Sequence, residues 1–441
     1  MNRSKSTHSR LLSNRRAFLK AAALTGLAVS APFAARRVRA ALEPYGGPFF
    51  VLIHASGGWD PVYLCDPKEN PALNRLAGAP ASVGEIRYAP VPVDAVALDL
   101  PAEAQPYLMS NQAFFEKYAA KLTVINGIDT STNNHDSGTR ATWSGKIQEG
   151  HPSFGALTAA IRSPGNPLAY ISSGGYDATQ GLVPLTRMSN LDALQKVAYP
   201  DLLSPDDPET ERYLPQARMD RIRQASQERL SAQLEGQRLP RARKAMDELL
   251  LARADDNALA GLQFPAELAT LPGYELSDLQ NMMQQAQLAL AAFKAGLAVA
   301  VNLNLGGFDT HGNHDRDQIR QLAKLLYGVD FLMSEAESAG LGGKLTVMIG
   351  SDFARGPGYN GNDAYAGKDH WPHTSAMLLG AGIPGGRVVG STDDDQYAQP
   401  HNGEVITPAH IHHSLRAVAG IQDHELATLY PLAGSDLGLF A

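Results

Sequence analysis

The chain has 441 residues, and at roughly 150 residues per domain this length fits two or three domains, or one large α/β domain carrying an insertion. Hydrophobic residues make up 44% and charged residues 19%, which excludes a disordered or coiled-coil chain, while 41 Gly and 28 Pro without a repeating period exclude collagen-like and low-complexity ones. Residues 1–40 hold nine of the 38 Lys+Arg and none of the 45 Asp+Glu, so the remainder carries 29 basic against 45 acidic residues, a net of −16 that speaks against nucleic acid as a partner.

The N-terminus reads as an export signal. Ser13-Asn14-Arg15-Arg16-Ala17-Phe18-Leu19-Lys20 precedes a mostly apolar run from Ala21 to Ala35, and Val38-Arg39-Ala40 supplies a small-residue cleavage pattern. The paired Arg15 and Arg16 resemble the signal of the twin-arginine (Tat) pathway, which exports folded proteins, so the Tat translocase is an expected partner and a periplasmic or secreted location follows. No stretch reaches the ~18–20 apolar residues of a membrane span. The single Cys65 allows no intramolecular disulfide and reads as a small buried thiol.

Along the mature chain, apolar runs end in polar clusters. Phe49–His54 is a strand buried on both faces, leading to Ser56-Gly57-Gly58-Trp59-Asp60. Leu122–Ile125 leads through Asn126-Gly127 to Asn133-Asn134-His135-Asp136-Ser137-Gly138. From Ser204 to Asp256 the density of charge predicts a solvated helical insertion or cap. Ser277 and Gln280 form the pattern of a capping box ahead of a helix to about Ala295. Leu297–Leu305 ends in Gly306-Gly307-Phe308-Asp309-Thr310-His311, and Ile319 to Met333 follow helical spacing. Leu345–Ile349 ends in Gly350-Ser351-Asp352-Phe353, with Asp369-His370-Trp371-Pro372-His373 in the loop beyond. Ala376–Leu379 is a fifth strand, and Pro408 opens a last helix toward Val418. Alternating strands and helices predict a mainly parallel sheet flanked by helices, whose chemistry collects beyond the carboxyl ends of its strands.

The carboxylate–histidine groups at these ends are candidate metal ligands, each with a plainer alternative. Asp60 follows a Gly-Gly turn where a ligand has room to approach, or it bonds nearby amides as a turn residue. Asp309 and His311 point the same way if the backbone stays extended, and so face one ion, or they cap the following helix. Asp352 and His370 extend the set, with Arg355 and Lys368 as anion-gripping cations or as solvated surface charge. Oxygen and nitrogen donors together suit Zn²⁺ or a similar divalent ion. Ser137 and His135 open a predicted helix, where a hydroxyl is activated by dipole and metal; Asp136 or Ser137 as a plain cap is the alternative. His410, His412 and His413 scatter over different faces of the last helix, His424 lies beyond it, and all four read as structural or surface residues.

The ordered set Gly57-Gly58-Trp59-Asp60, Gly306–His311, Ser351-Asp352-Phe353-Ala354-Arg355, Asp369-His370-Trp371 and Gly385–Gly390 resembles an uncharacterised family of twin-arginine-exported bacterial proteins (domain of unknown function, number 1501) in the alkaline-phosphatase-like superfamily. The resemblance implies an alkaline-phosphatase-like domain over 41–441, which would follow the signal peptide read at 1–40 and contain the helical insertion read at about 204–256. It implies Ser137 as nucleophile, with His135 competing for that position, and Asp60, Asp309, His311, Asp352 and His370 as ligands of Zn²⁺, or of Ca²⁺ or Mg²⁺. The resulting expectation is a metal-dependent hydrolase of phosphate or sulfate esters on a small molecule or polysaccharide, with Arg140, Arg355 or Lys368 holding the anion. A non-catalytic binding or assembly protein of the cell envelope on the same fold is the other reading.

Overall fold

A computed structural model describes residues 44–94, 100–164, 168–187, 202–204, 210–240 and 267–440, with a few isolated positions besides. The expected export segment at 1–40 and much of the expected charged insertion lie outside the described residues. The strands are β1 (Phe49–Ala55), β2 (Ala81–Val83), β3 (Ile86–Tyr88), β4 (Leu122–Asp129), β5 (Tyr170–Ser172) and β6 (Thr186–Arg187). After them come β7 (Ala300–Leu305), β8 (Leu345–Ser351), β9 (Ala354–Tyr359), β10 (Lys368–Trp371), β11 (His373–Gly380) and β12 (Arg387–Val389). The helices are α1 (Asn111–Tyr118), α2 (His135–Ser144), α3 (Phe154–Arg162), α4 (Gln216–Gly236), α5 (Ser277–Lys294), α6 (His314–Ser338), α7 (Pro408–Val418) and the short α8 (Glu425–Thr428).

Eight strands form one sheet in the order β12-β4-β11-β8-β1-β7-β5-β6. All neighbours run parallel except β11, which is antiparallel to both β4 and β8. The expected mainly parallel sheet flanked by helices is therefore present. Along β1 the period-2 alternation is visible: Phe49, Val51, Ile53 and Ala55 enter one apolar layer, Phe50 and Leu52 the other. The first layer is closed by α5 and α6 through Met282, Phe293, Ile319 and Leu326, the second by α3 and α7 through Phe154, Leu157, Ile411 and Leu415. Burial on both faces explains why the central strands read as unbroken apolar runs.

Three local expectations change. The capping box at Ser277 does not form: Ser277 is already helical, and Gln280 Oε1 instead accepts from the Leu271 amide at 2.8 Å. Asn134 caps α2, its Oδ1 accepting from the amides of Asp136 and Ser137, so neither Asp136 nor Ser137 is the cap. The stretch at 369–371, expected as loop, is the second strand of a β9–β10 hairpin. The helix α4 falls inside the charged 204–256 stretch and is exposed along nearly its whole length, with Leu234 buried. Among the described residues no helix is long and apolar enough to cross a membrane.

The register positions the site. Ala55 of β1 lies opposite both Leu305 of β7 and Ser351 of β8, so Ser56, Gly306 and Asp352 leave the sheet side by side. Because β11 runs the other way, its first residue, His373, pairs with the last of β4, Asp129, and the hairpin before it reaches the same edge. The Gly57-Gly58 turn is tight for a different reason than ligand access. A Cβ on Gly57 would sit 2.4 Å from the Asp309 amide nitrogen, and one on Gly58 2.6 Å from the Phe353 ring, both at positive φ. These glycines let protein segments, not a ligand, close on one another.

Candidate metal centre

Three histidines reach one carboxylate from three separate segments. His135 opens α2, His311 follows β7, and His370 lies on β10, while Asp309 lies two residues before His311. His135 donates from Nδ1 to Asp352 Oδ2 at 2.5 Å, His370 from Nδ1 to the Asn133 carbonyl at 2.7 Å, and His311 from Nδ1 to Asp369 Oδ1 at 3.2 Å. In neutral rings held this way the lone pair sits on Nε2. The three Nε2 atoms lie 3.7, 3.2 and 3.5 Å from Asp309 Oδ1 for His135, His311 and His370 respectively. His311 Nε2 and His370 Nε2 are only 3.0 Å apart.

This donor set fits a divalent cation. Lone pairs from three imidazoles and a carboxylate oxygen repel one another at such distances unless a proton or a metal lies between them. One ligand atom each from His135, Asp309 and His370 lies within 4.8 Å of the others, and His311 Nε2, outside that group of three, stands 3.2 Å from Asp309 Oδ1. A three-nitrogen, one-oxygen set with each outer ring nitrogen bonded to an acceptor is the pattern of a zinc-type site.

Charge around the cluster is arranged to keep the carboxylates ionised. Partial burial would raise Asp309, but Arg355 Nη2 at 2.5 Å holds its carboxyl below the usual range, with His135 and His311 adding to the effect. Asp352 is almost fully buried, which would also raise it. His54, the bond from His135 and the Gly57 amide at 3.0 Å outweigh that and hold it low. Burial lowers His370, and Arg355 adds to that, which keeps the ring neutral and able to coordinate.

The other expected site residues are placed differently. Asp60 is not in the cluster: fully buried, it accepts from Lys368 Nζ at 2.7 Å, His314 Nε2 at 2.9 Å and the Val62 amide at 3.0 Å. Lys368 is equally buried, with a second bond to the Leu73 carbonyl, so it has no free ammonium for a substrate. Arg355 is 0% exposed and spends its guanidinium on Asp309 and on the carbonyls of Gly57, Gly58 and Lys368. It braces a ligand and does not face substrate. Asp352 stands behind His135 and not beside Asp309. Ser137 is half-buried, with its Oγ 2.7 Å from Thr132 Oγ1.

An open cavity of about 600 Å³ borders the cluster. His54, His135, Asp309, Thr139, Ser56 and Arg140 are on its wall, whereas Ser137 is not. Arg140 Nη1 bonds the Ile147 carbonyl at 2.6 Å and its Nη2 lies 3.5 Å from Glu149 Oε1, so the guanidinium is held from both sides. Thr139 follows His135 by one helical turn, and Ser56 is the first residue after β1. Neither hydroxyl stood out in sequence. His54 was also missed, although a histidine inside an apolar, doubly buried strand is a signal, because a buried polar ring requires partners. The histidines of the last helix serve the scaffold: His410 completes a capping box with Thr407, His412 bonds the Thr142 carbonyl, and His424 caps α8. Cys65 is a buried free thiol, as expected.

A family model described as a protein of unknown function (DUF1501) matches residues 49–440. No curated protein matches the chain. Among solved structures it is similar to Ps i-CgsB in complex with k-i-k-neocarrahexaose, at 9% identity over 88% of this chain and 75% of that one, with a TM-score of 0.40. It is similar to the PsFucS1 sulfatase from Pseudoalteromonas sp., at 12% identity over 96% and 75%, with a TM-score of 0.40. It is also similar to the alkaline phosphatase of the Antarctic bacterium TAB5, at 12% identity over 86% and 99%, with a TM-score of 0.32.

Proposed function

We propose that this chain, which belongs to the DUF1501 family of proteins of unknown function, is an exported, metal-dependent hydrolase of phosphate or sulfate esters. The observation that carries the reading is the convergence of His135, His311 and His370 Nε2 on Asp309 Oδ1. These four residues would hold the metal, with Zn²⁺ the ion that best suits three imidazoles and one carboxylate. A metal bound there supplies Lewis acidity toward an ester oxygen or a water.

The chain's own groups do the rest. Asp352, Asn133 and Asp369 orient the three rings, and Arg355 keeps Asp309 ionised and turned toward them. Arg140 offers the cationic side chain on the cavity wall, suited to the charged oxygens of an ester anion. Ser56 and Thr139 line the same space and supply hydroxyls that would hydrogen-bond a bound ester or water. Export through the Tat translocase rests on Arg15-Arg16 and the apolar run behind them.

Elemental analysis of the purified protein, joined to a screen of phosphate and sulfate monoesters and diesters, tests the reading. A stoichiometric divalent metal and turnover of an ester, both lost in Asp309→Ala, are the expected results. Protein that cannot be loaded with metal overturns it, and metal without turnover of any ester reduces it to a binding role.

A further inference from the structure

The cavity beside the metal cluster carries more negative than positive charge. Among the described residues on its wall, three are carboxylates, Asp136, Asp309 and Asp352, and one is a cation, Arg140. Two further carboxylates touch this set: Glu149 lies 3.5 Å from Arg140 Nη2, and Asp369 lies 3.2 Å from His311 Nδ1. Arg355, behind Asp309, supplies a second positive charge. Burial pushes His54 toward its neutral form, and histidines that coordinate a metal are neutral as well. Five carboxylates against two guanidiniums leave −3 before a metal binds, and one divalent ion brings the surroundings to −1.

The anion-binding groups on this wall are also partly spent. Arg140 shares its guanidinium between the Ile147 carbonyl and Glu149, so two of its N–H donors already point at protein acceptors. The N-terminus of α2 offers about half a positive charge. Asn134, however, takes the amides of Asp136 and Ser137, and Asp136 itself sits in the first turn. A second negative charge on a ligand therefore finds no surplus of positive charge to meet it. The cost of stripping water from that ligand still grows with the square of its charge.

We infer that this centre selects esters with a single negative charge, a sulfate monoester or a phosphate diester, over the dianion of a phosphate monoester, with Asp136 and Glu149 setting the preference. The inference rests on the metal-dependent hydrolase reading given above. Hydrolysis of such an ester also changes its charge in the direction that empties the site. Water attacks sulfur or phosphorus, and the bond from that atom to the leaving alkoxide breaks. The alkoxide takes one proton of the water and the other goes to solvent. The product is sulfate or, above a second pKa of about 6, a phosphate monoester dianion. These surroundings hold either dianion less well than the ester.

Three probes with one leaving group test this at about pH 8. p-Nitrophenyl sulfate and methyl p-nitrophenyl phosphate are monoanions, and p-nitrophenyl phosphate is a dianion. Calorimetry on Zn²⁺-loaded protein at low ionic strength is expected to show the tighter monoanion binding at least about tenfold more strongly than the dianion. Which monoanion that is identifies the sulfate monoester or the phosphate diester. Asp136→Asn and Glu149→Gln are each expected to shrink the ratio about threefold, and added salt to shrink it in the wild type. Damage to the fold would weaken all three probes together and leave the ratio unchanged. A dianion bound as tightly as the monoanions, an unchanged ratio in both variants, two metal ions per chain, or binding of none of the probes overturns the inference. Protein that loads no metal overturns the hydrolase reading, and metal without turnover reduces that reading to binding. In both cases the ratio of probe affinities still decides the charge preference.

Discussion

His311 Nε2 and His370 Nε2 stand 3.0 Å apart, although each ring already uses its Nδ1 on an acceptor, Asp369 in one case and the Asn133 carbonyl in the other. Two imidazole lone pairs at that distance are stable only around a shared positive charge. A cation bound to the native state alone adds RT ln(1 + [L]/Kd) to its stability, about 2.7 kcal/mol at a hundredfold excess over Kd. Chelation is therefore expected to lower the melting temperature of the wild type by several degrees and to leave that of His370→Ala unchanged. Calorimetry with and without chelator measures this, and equal chelator shifts in both proteins would refute it.

Ser137 is expected to be dispensable. Its hydroxyl is bonded to Thr132 Oγ1 at 2.7 Å and does not line the cavity. Ser137→Ala should keep metal content and turnover within about twofold of wild type, equivalent to less than ~0.5 kcal/mol of transition-state stabilisation. His135→Ala should lose both. Initial rates and metal content decide, and an inactive, metal-loaded Ser137→Ala restores the serine as nucleophile.

The buried Asp60–Lys368 pair sets the position of the hairpin that carries His370. Burial alone would raise the Asp60 carboxyl, but Lys368 and His314 hold it below its usual value. Lys368→Met leaves that charge enclosed without its main partner, at an expected cost of about 3–5 kcal/mol. Adding Asp60→Asn should recover a large part of the loss. Urea unfolding of both variants checks this; a double variant no more stable than Lys368→Met would rule out charge as the cause.

His412 is expected to make the protein acid-sensitive. Burial pushes its pKa down to about 3, against 6.5 for an ordinary histidine. Between those values the unfolded chain binds a proton that the folded one refuses. Stability is therefore lost as pH falls from about 6.5 toward 3, by up to ~1.4 kcal/mol per pH unit. His412→Gln keeps a donor for the Thr142 carbonyl and should flatten this slope between pH 4 and 6.5. An unchanged slope in that variant would remove His412 as the source.

Export is expected to depend on the arginine pair. Replacing Arg15 and Arg16 together by Lys should leave precursor in the cytoplasm, because the pair is the address that the pathway's receptor reads. Cell fractionation followed by immunoblotting measures it, and normal periplasmic accumulation would dismiss the Tat assignment.

Much of the scaffold was legible from order along the chain. Strands buried on both faces favour near-continuous apolar runs, and Phe49–Ile53, Leu122–Ile125 and Leu345–Ile349 supply them with Thr123 and Thr346 as the polar exceptions. Their ends were legible too, since Asp309, His311, Asp352 and His135 each follow such a run. Local sequence also placed the last helix at Pro408–Val418, because proline suits a first turn. What the sequence determined, then, was the set of strand ends at which chemistry gathers.

Which strand-end residues meet was decided only in three dimensions. Asp60 and Lys368 are 308 positions apart, and nothing local distinguishes a lysine that will be sealed against an aspartate from one left at the surface. Arg355 became a brace because the Gly57-Gly58 turn brings its carbonyls to the guanidinium. His370 reached the cluster through the antiparallel start of β11, a reversal that no apolar run announces. The pairing of His54 with Trp143 likewise depends on where β1 meets α2. Burial turns ambiguous polar residues into partners or ligands, and burial is a property of the packed chain and not of any one segment.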